Sequence, residues 1–360
     1  MGKVLMKGNE VLAEAAVHAD CRYYFGYPIT PQSELVAYMA RRLPEVGGLF
    51  LQAESEIAAI NMVYGAASTG VRVMTSSSSP GFSLKQEGIS YLVGSELPAV
   101  IVNIVRGGPG LGNIQPAQSD YFQVTKGGGH GDYHIPVLAP STLQEIVDLT
   151  MDAFDIADKY RSPVIIMGDG MLGQMMEPVE FKEKVESKQF DKSWATTGTR
   201  GDGGPKIITS LELDADSLEK RNTLLQKKFA EMKEQEVRYE TYCTEDADYI
   251  IVAYGTVARI AMNAINKARE TGLKIGLIRP ISLWPFPEKP FEETRKRVKG
   301  YISVEMSAGQ MIEDVRLAVN GHAPVDFYGR TGGVVPTQEE IYEKIITVAG
   351  GLKYEHENGI

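Results

Sequence analysis

Apolar residues recur along this chain in two alternating rhythms. Helical spacing at 8–18, 32–43, 55–67, 82–94 and 142–159 is interleaved with short β-branched runs at 23–25, 49–51, 71–75, 99–105 and 164–167. Amphipathic helices between short, nearly continuous apolar strands predict a parallel sheet covered by helices, hence an α/β fold. Ser141, followed by Glu145, reads as a helix entry one residue longer than a strict capping box.

The rhythm breaks between about 179 and 246, where a charged stretch with the glycines at 198–204 leads into one amphipathic segment. Leu218, Leu225, Phe229 and Met232 fall on one stripe of a helix there, with Asp216 and Glu219 as cap and N3 partner. Such a stripe predicts a linker helix packed on a neighbour. The α/β pattern resumes with strands at 249–254, 274–278, 300–304 and 325–328 and helices at 258–269 and 310–319. The expected organisation is a first domain at 1–178, a linker at 179–246, a second domain at 247–349 and a tail at 350–360.

Composition narrows the function classes. A chain of 360 residues, 43% hydrophobic, is apolar enough for two or three cores. Its formal charge of -10 argues against nucleic acid or an anionic membrane as the main partner. There is no run of 18 apolar residues and no apolar leader after Met1, so a cytoplasmic protein is the expectation. Two distant cysteines, Cys21 and Cys243, build neither a disulfide framework nor a zinc or iron-sulfur ligand set.

Candidate chemistry gathers at strand ends. Thr30, in Tyr27-Pro28-Ile29-Thr30-Pro31, is a hydroxyl on a stiffened loop that either contacts a ligand or caps a helix opening at Pro31. Glu56 opens a helix and is followed by Ile57, Ala58, Ala59 and Ile60, so its carboxylate faces an apolar wall or merely complements the helix dipole; Glu54 is its rival. Arg106 ends the strongest strand and precedes a glycine-rich loop. A guanidinium there can clamp a carboxylate or pair with a surface Glu. The glycines fail both nucleotide-loop patterns. His130 and His134 lie in too glycine-rich a segment to form a helical metal pair, although a loop bringing His130 to a substrate stays open.

The motifs at 26–31, 52–59 (Gln52-Ala53-Glu54-Ser55-Glu56-Ile57-Ala58-Ala59), 79–84 (Ser79-Pro80-Gly81-Phe82-Ser83-Leu84) and 106–109 resemble, in that order, those of the alpha subunits of 2-oxoacid:ferredoxin oxidoreductases. The segments 110–116 and 126–132 are most similar to the 3-methyl-2-oxobutanoate (2-oxoisovalerate) type, with the 2-oxoglutarate type as alternative. The resemblance implies a pyrimidine-type thiamine diphosphate domain, a doubly wound parallel sheet, followed by a transketolase C-terminal-like α/β domain. It further implies Glu56 as the catalytic carboxylate at the cofactor's aminopyrimidine, with Pro28 and Phe82 beside the cofactor, and Thr30 and Arg106 on the substrate. A beta subunit would hold the diphosphate, Mg2+ and a 4Fe-4S cluster. Gamma and ferredoxin-like delta subunits, ferredoxin and coenzyme A would complete the reaction.

Gly168-Asp169-Gly170 mimics the start of a thiamine-enzyme magnesium motif, but the required Asn is missing downstream, so it reads as a turn. That absence argues against a self-sufficient thiamine enzyme and for a half-site. A non-catalytic scaffold subunit is the reading from another class, against which the intact Thr30, Glu56 and Arg106 count.

Overall fold

The computed structural model describes residues 2–181, 189–198 and 204–350. The tail beyond 350 and parts of the linker lie outside them.

The first half carries β1 (Val4–Lys7), α1 (Gly8–His18), β2 (Tyr23–Gly26), α2 (Ser33–Glu45), β3 (Leu49–Gln52), α3 (Glu56–Ser68), β4 (Val73–Ser77), α4 (Ser79–Gly94), β5 (Ala99–Val105), α5 (Tyr121–Thr125), β6 (Val137–Leu138), α6 (Leu143–Tyr160), β7 (Pro163–Asp169), α7 (Gly170–Gln174) and β8 (Met176–Val179). After α8 (Ala215–Gln235) come β9 (Tyr239–Tyr242), β10 (Tyr249–Val252), α9 (Gly255–Glu270), β11 (Ile275–Pro280), β12 (Ser282–Trp284), α10 (Lys289–Thr294), β13 (Gly300–Glu305), α11 (Met311–Val319), β14 (Val325–Gly329) and α12 (Gln338–Ala349).

Among the described residues three sheets result: seven strands in the order β12-β6-β7-β5-β4-β2-β3, five in the order β14-β13-β10-β11-β9, and the β1-β8 pair. Pairing in the large sheet is parallel except at β12, and in the second sheet except at β9. The central strands β5 and β7 are buried along their whole length, which is why their sequences read as unbroken apolar runs. Chain order reverses between β2 and β4 in the first sheet and between β10 and β13 in the second. Crevices at the carboxyl ends of such reversal points are where open α/β sheets receive ligands.

β12 belongs by sequence to the second α/β pattern, yet it pairs antiparallel with β6 at the edge of the first sheet. The linker helix α8 braces this crossing. Phe229 stands edge-on to Trp284 at 6.4 Å, and His134 stacks flat on the same indole at 4.8 Å. Burial, with Lys126 and Lys233 nearby, pushes the His134 imidazole below its ordinary range. Leu225, Phe229 and Met232 are buried as the stripe predicts, whereas Leu218 is 39% exposed because α8 leaves its neighbour at that end.

Three helix entries differ from expectation by one or two residues. Asp214 rather than Asp216 caps α8, accepting from Ser217 N at 2.8 Å. Thr142 rather than Ser141 caps α6, accepting from Glu145 N at 3.1 Å, while Ser141 donates to the Glu145 carboxylate. Thr30 caps nothing: α2 begins at Ser33 behind Gln32, because Pro31 spends its carbonyl on the Asn9 amide. Elsewhere α1 and α2 are tied by Glu14, which receives Arg42 at 2.9 Å and Tyr38 at 3.1 Å. No described helix is long and apolar enough to cross a membrane.

Candidate active site

The crevice between β2 and β4 collects the residues singled out by sequence. After β2 the chain passes through Pro28 and Thr30, both exposed, to the cis peptide Thr30-Pro31. After β3, Ser55 caps α3 by accepting from Ala58 N at 3.2 Å. That cap sets Glu56 at the first helical position, buried to 6% exposure. Glu54, two residues earlier, points into solvent.

Glu56 is buried because Gly81 has no side chain. A Cβ on Gly81, in the first turn of α4, would stand 2.3 Å from Glu56 Oε1 and 2.3 Å from Ser77 Oγ. The bare backbone of α4 thus becomes one wall of the carboxylate's niche. Ser77, Ser78, Gln86 and Arg106 each leave one buried polar atom without a hydrogen-bond partner: Ser77 Oγ, Ser78 Oγ, Gln86 Nε2 and Arg106 Nε. Unpaired buried polar groups are rare in folded proteins, and one of these four, Ser77 Oγ, borders the Glu56 carboxylate across Gly81.

Arg106 is 8% exposed and fixed at the end of β5. Its Nη1 donates to Thr30 O at 2.9 Å and its Nη2 to Leu111 O at 3.0 Å. The guanidinium therefore links the β2 loop to the glycine-rich loop and keeps Nε free. Phe82, next to Gly81 on α4, is fully buried and packs in the first core.

A cavity of about 890 Å3 opens at Ser79 and Pro80, at the start of α4, and along the glycine-rich loop from Gly108 to Leu111. Ser79, Leu111, Asp120 and Gln123 line it from the first half, Met306 and Thr331 from the second, and among the described residues no lysine or arginine lines its wall. Asp120 accepts from Asn103 Nδ2 at 2.9 Å, and burial raises its carboxyl above the usual range against the pull of Ser79, Asn103 and Arg106. It falls between the recognised segments 110–116 and 126–132 and in neither, so no motif marked it. Gln118, also missed, spans the reversal-point loops of the second sheet: its Nε2 donates to Tyr254 O at 3.0 Å, and its Oε1 accepts from Met306 N.

Two other candidates lie elsewhere. Asp169 ends β7 and caps α7, accepting from Met171 N at 2.9 Å and Leu172 N at 3.0 Å; it is a helix cap rather than a turn residue. The glycine loop bearing His130 lies on α4 beside Gln86 and Ser90, beyond Gly81. His130 is exposed there and outside the cluster around Glu56.

A doubly wound parallel sheet with a buried carboxylate at its reversal point, joined to a second α/β sheet, defines a thiamine diphosphate-binding type of protein. Residues 14–247 match the family described as pyruvate flavodoxin/ferredoxin oxidoreductase, thiamine diphosphate-binding, and residues 247–341 match pyruvate:ferredoxin oxidoreductase core domain II. The chain belongs to this family, the 2-oxoacid:ferredoxin oxidoreductases, and is an oxidoreductase subunit.

Among relatives, it is 53% identical to ketoisovalerate oxidoreductase subunit VorB of Methanothermobacter marburgensis, over 97% of this chain and 99% of that one. It is 35% identical to 2-oxoglutarate synthase subunit KorA of the same organism, over 95% of this chain and 98% of that one. The solved 2-oxoglutarate:ferredoxin oxidoreductase of Magnetococcus marinus, with 2-oxoglutarate, coenzyme A and succinyl-CoA bound, superposes with TM-score 0.86 at 27% identity, covering 96% of this chain and 65% of that one. A split-gene transketolase, at 13% identity and TM-score 0.59 over 94% of this chain and 95% of its own, shares the fold alone.

Proposed function

We propose that this chain is the alpha subunit of a ferredoxin-linked oxidoreductase that decarboxylates a branched-chain 2-oxo acid and delivers the acyl group to coenzyme A. The observation that carries the reading is the niche formed by Glu56, Gly81 and Ser77 at the reversal point of the first sheet.

Thiamine diphosphate, when bound, supplies the nucleophilic carbon and electron sink that such a decarboxylation needs. The buried Glu56 carboxylate and the unpaired Ser77 Oγ beside it fit the aminopyrimidine half of that cofactor. Glu56 would hold a proton at N1′ of the ring, the position from which a carboxyl favours the imino form. Pro28 borders the approach. Arg106, held by Thr30 O and Leu111 O, would orient the substrate carboxylate, with Thr30 on the loop it holds as the second substrate contact.

Diphosphate and Mg2+ are assigned to a beta subunit, since Asp169 is engaged as a helix cap. Clusters of the 4Fe-4S kind, gamma and delta subunits and ferredoxin are likewise assigned to the assembly. Exposed Ile57 and Leu84 flank the Glu56 niche, and Leu51 is exposed on edge strand β3. An apolar rim of this kind around a polar half-site suits burial against a partner chain.

A cavity without a cationic wall favours a branched-chain substrate, because the second carboxylate of 2-oxoglutarate would find no partner there. Turnover of the reconstituted complex with 2-oxoisovalerate and with 2-oxoglutarate, using coenzyme A and a viologen acceptor, tests this. Preference for 2-oxoglutarate would overturn the substrate.

A further inference from the structure

Asn113, exposed on the glycine-rich loop, uses both ends of its amide. Its Oδ1 accepts from Gln115 N at 2.9 Å, and its Nδ2 donates to Gly332 O at 2.7 Å, in the turn that follows β14. A backbone N–H on one side and a carbonyl on the other leave the amide a single orientation. The loop also closes on itself, Gly107 N donating to Gln115 O and Asn113 N to Gly107 O, each at 2.9 Å. The facing turn is equally fixed, because Arg330 N donates to Glu305 O on β13 at 3.1 Å and Val334 N to Thr331 O at 3.2 Å. Close approach is built into both sides. A Cβ on Gly107 would stand 2.7 Å from Asn113 Oδ1 and 3.1 Å from Gly333 N, and one on Gly333, at φ +88°, would stand 2.3 Å from Gln115 Cβ. Only bare backbone lets the loop and the turn meet at these distances. The loop so held carries Leu111, which lines the large cavity and whose carbonyl accepts from Arg106 Nη2 at 3.0 Å.

We propose that Asn113 is a positioning residue: it clasps the glycine-rich loop to the turn at Gly332, and through Leu111 O this clasp sets the direction of the Arg106 guanidinium. The grip of the first half on a substrate carboxylate thereby depends on a turn of the second. For its purpose the clasp rests on the reading of Arg106 as the residue that orients the 2-oxo acid. Its geometry belongs to the folded chain and can be measured without partner subunits.

Asn113→Asp separates the two bonds of this side chain, since a carboxylate still accepts from Gln115 N but offers Gly332 O no donor. In the reconstituted complex the variant should raise KM for the 2-oxo acid about tenfold and leave KM for coenzyme A within about twofold of wild type. Gly333→Ala, which parts the same contact from the other side, should do likewise. A merely structural loss would lower kcat and leave both KM values unchanged. With Arg106→Ala already in place, adding Asn113→Asp should change KM for the 2-oxo acid by no more than about twofold. A wild-type KM in Asn113→Asp, or an equal rise with and without Arg106, overturns the proposal.

Hydrogen exchange in the full chain, without partners, keeps this failure distinct from that of the reading beneath it. The Gly107 amide, paired across the loop, should exchange about threefold to tenfold faster in Asn113→Asp. Faster exchange beside an unchanged KM in Arg106→Ala would uphold the clasp and overturn the substrate role of Arg106. Unchanged exchange would overturn the clasp.

Discussion

Gln118 and Met306 exchange hydrogen bonds in both directions: Gln118 N donates to Met306 O at 2.8 Å, and Met306 N donates to Gln118 Oε1 at 3.0 Å. With the further bond to Tyr254 O, one side chain from the first half closes the reversal point of the second sheet. Gln118→Ala would leave Met306 N buried without a partner, while Tyr254 O would keep Ala258 N as its donor. Loss of about 1 to 3 kcal/mol is expected, read as a lower denaturation midpoint with an unchanged slope.

Glu56→Gln keeps the shape of the niche and removes its ionisable group. Turnover of the reconstituted complex should fall by about a hundredfold or more with assembly intact on size-exclusion chromatography. Glu54→Gln, altering an exposed carboxylate, should stay within about twofold of wild type.

Gly81→Ala places a methyl group where Glu56 Oε1 and Ser77 Oγ now lie, each 2.3 Å from the new atom. Because one obstacle is a side chain that can rotate, the stability cost should be modest, about 1 to 3 kcal/mol. Cofactor binding, followed by fluorescence quenching in the reconstituted complex, should nonetheless weaken at least about tenfold. Binding equal to wild type would show that the position of the carboxylate does not matter.

The tie between α1 and α2 carries a pH signature. Burial would raise the Glu14 carboxyl, yet hydrogen bonds from His18, Arg42 and Tyr38 hold it down at about 2. Stability from this group is therefore complete above the unfolded carboxyl's range and is lost as pH falls toward about 2. Between about pH 5 and about pH 2, wild type should lose about 2 to 3 kcal/mol more than Glu14→Gln. Parallel acid-unfolding curves would rule out the effect.

What the sequence disclosed and what it hid divide along the range of the interactions. The helices and strands of the first half were legible because periodicity is local, and Glu56 because an acidic residue ahead of Ile57, Ala58 and Ala59 marks a helix start. Lys85, in Ser83-Leu84-Lys85-Gln86-Glu87, reads as an ordinary surface charge; only the packing of α4 on β4 encloses it. Thr30 looked like a cap because Pro31 follows it, but the carbonyls of both are taken by Arg106 and Asn9 from distant elements. Gln118 carried no local signal at all.

The placement of β12 constrains how this protein is made. Residue 284 must leave the ribosome before the outermost strand of the first sheet can be added to β6, so the edge of that sheet stays open through synthesis of the linker and the first strands of the second sheet. A gene cut at residue 247, where the two family matches meet, would make this temporary opening permanent. An N-terminal fragment designed on that boundary should aggregate through its bare β6 edge, and the two halves are best inherited, expressed and engineered as one unit.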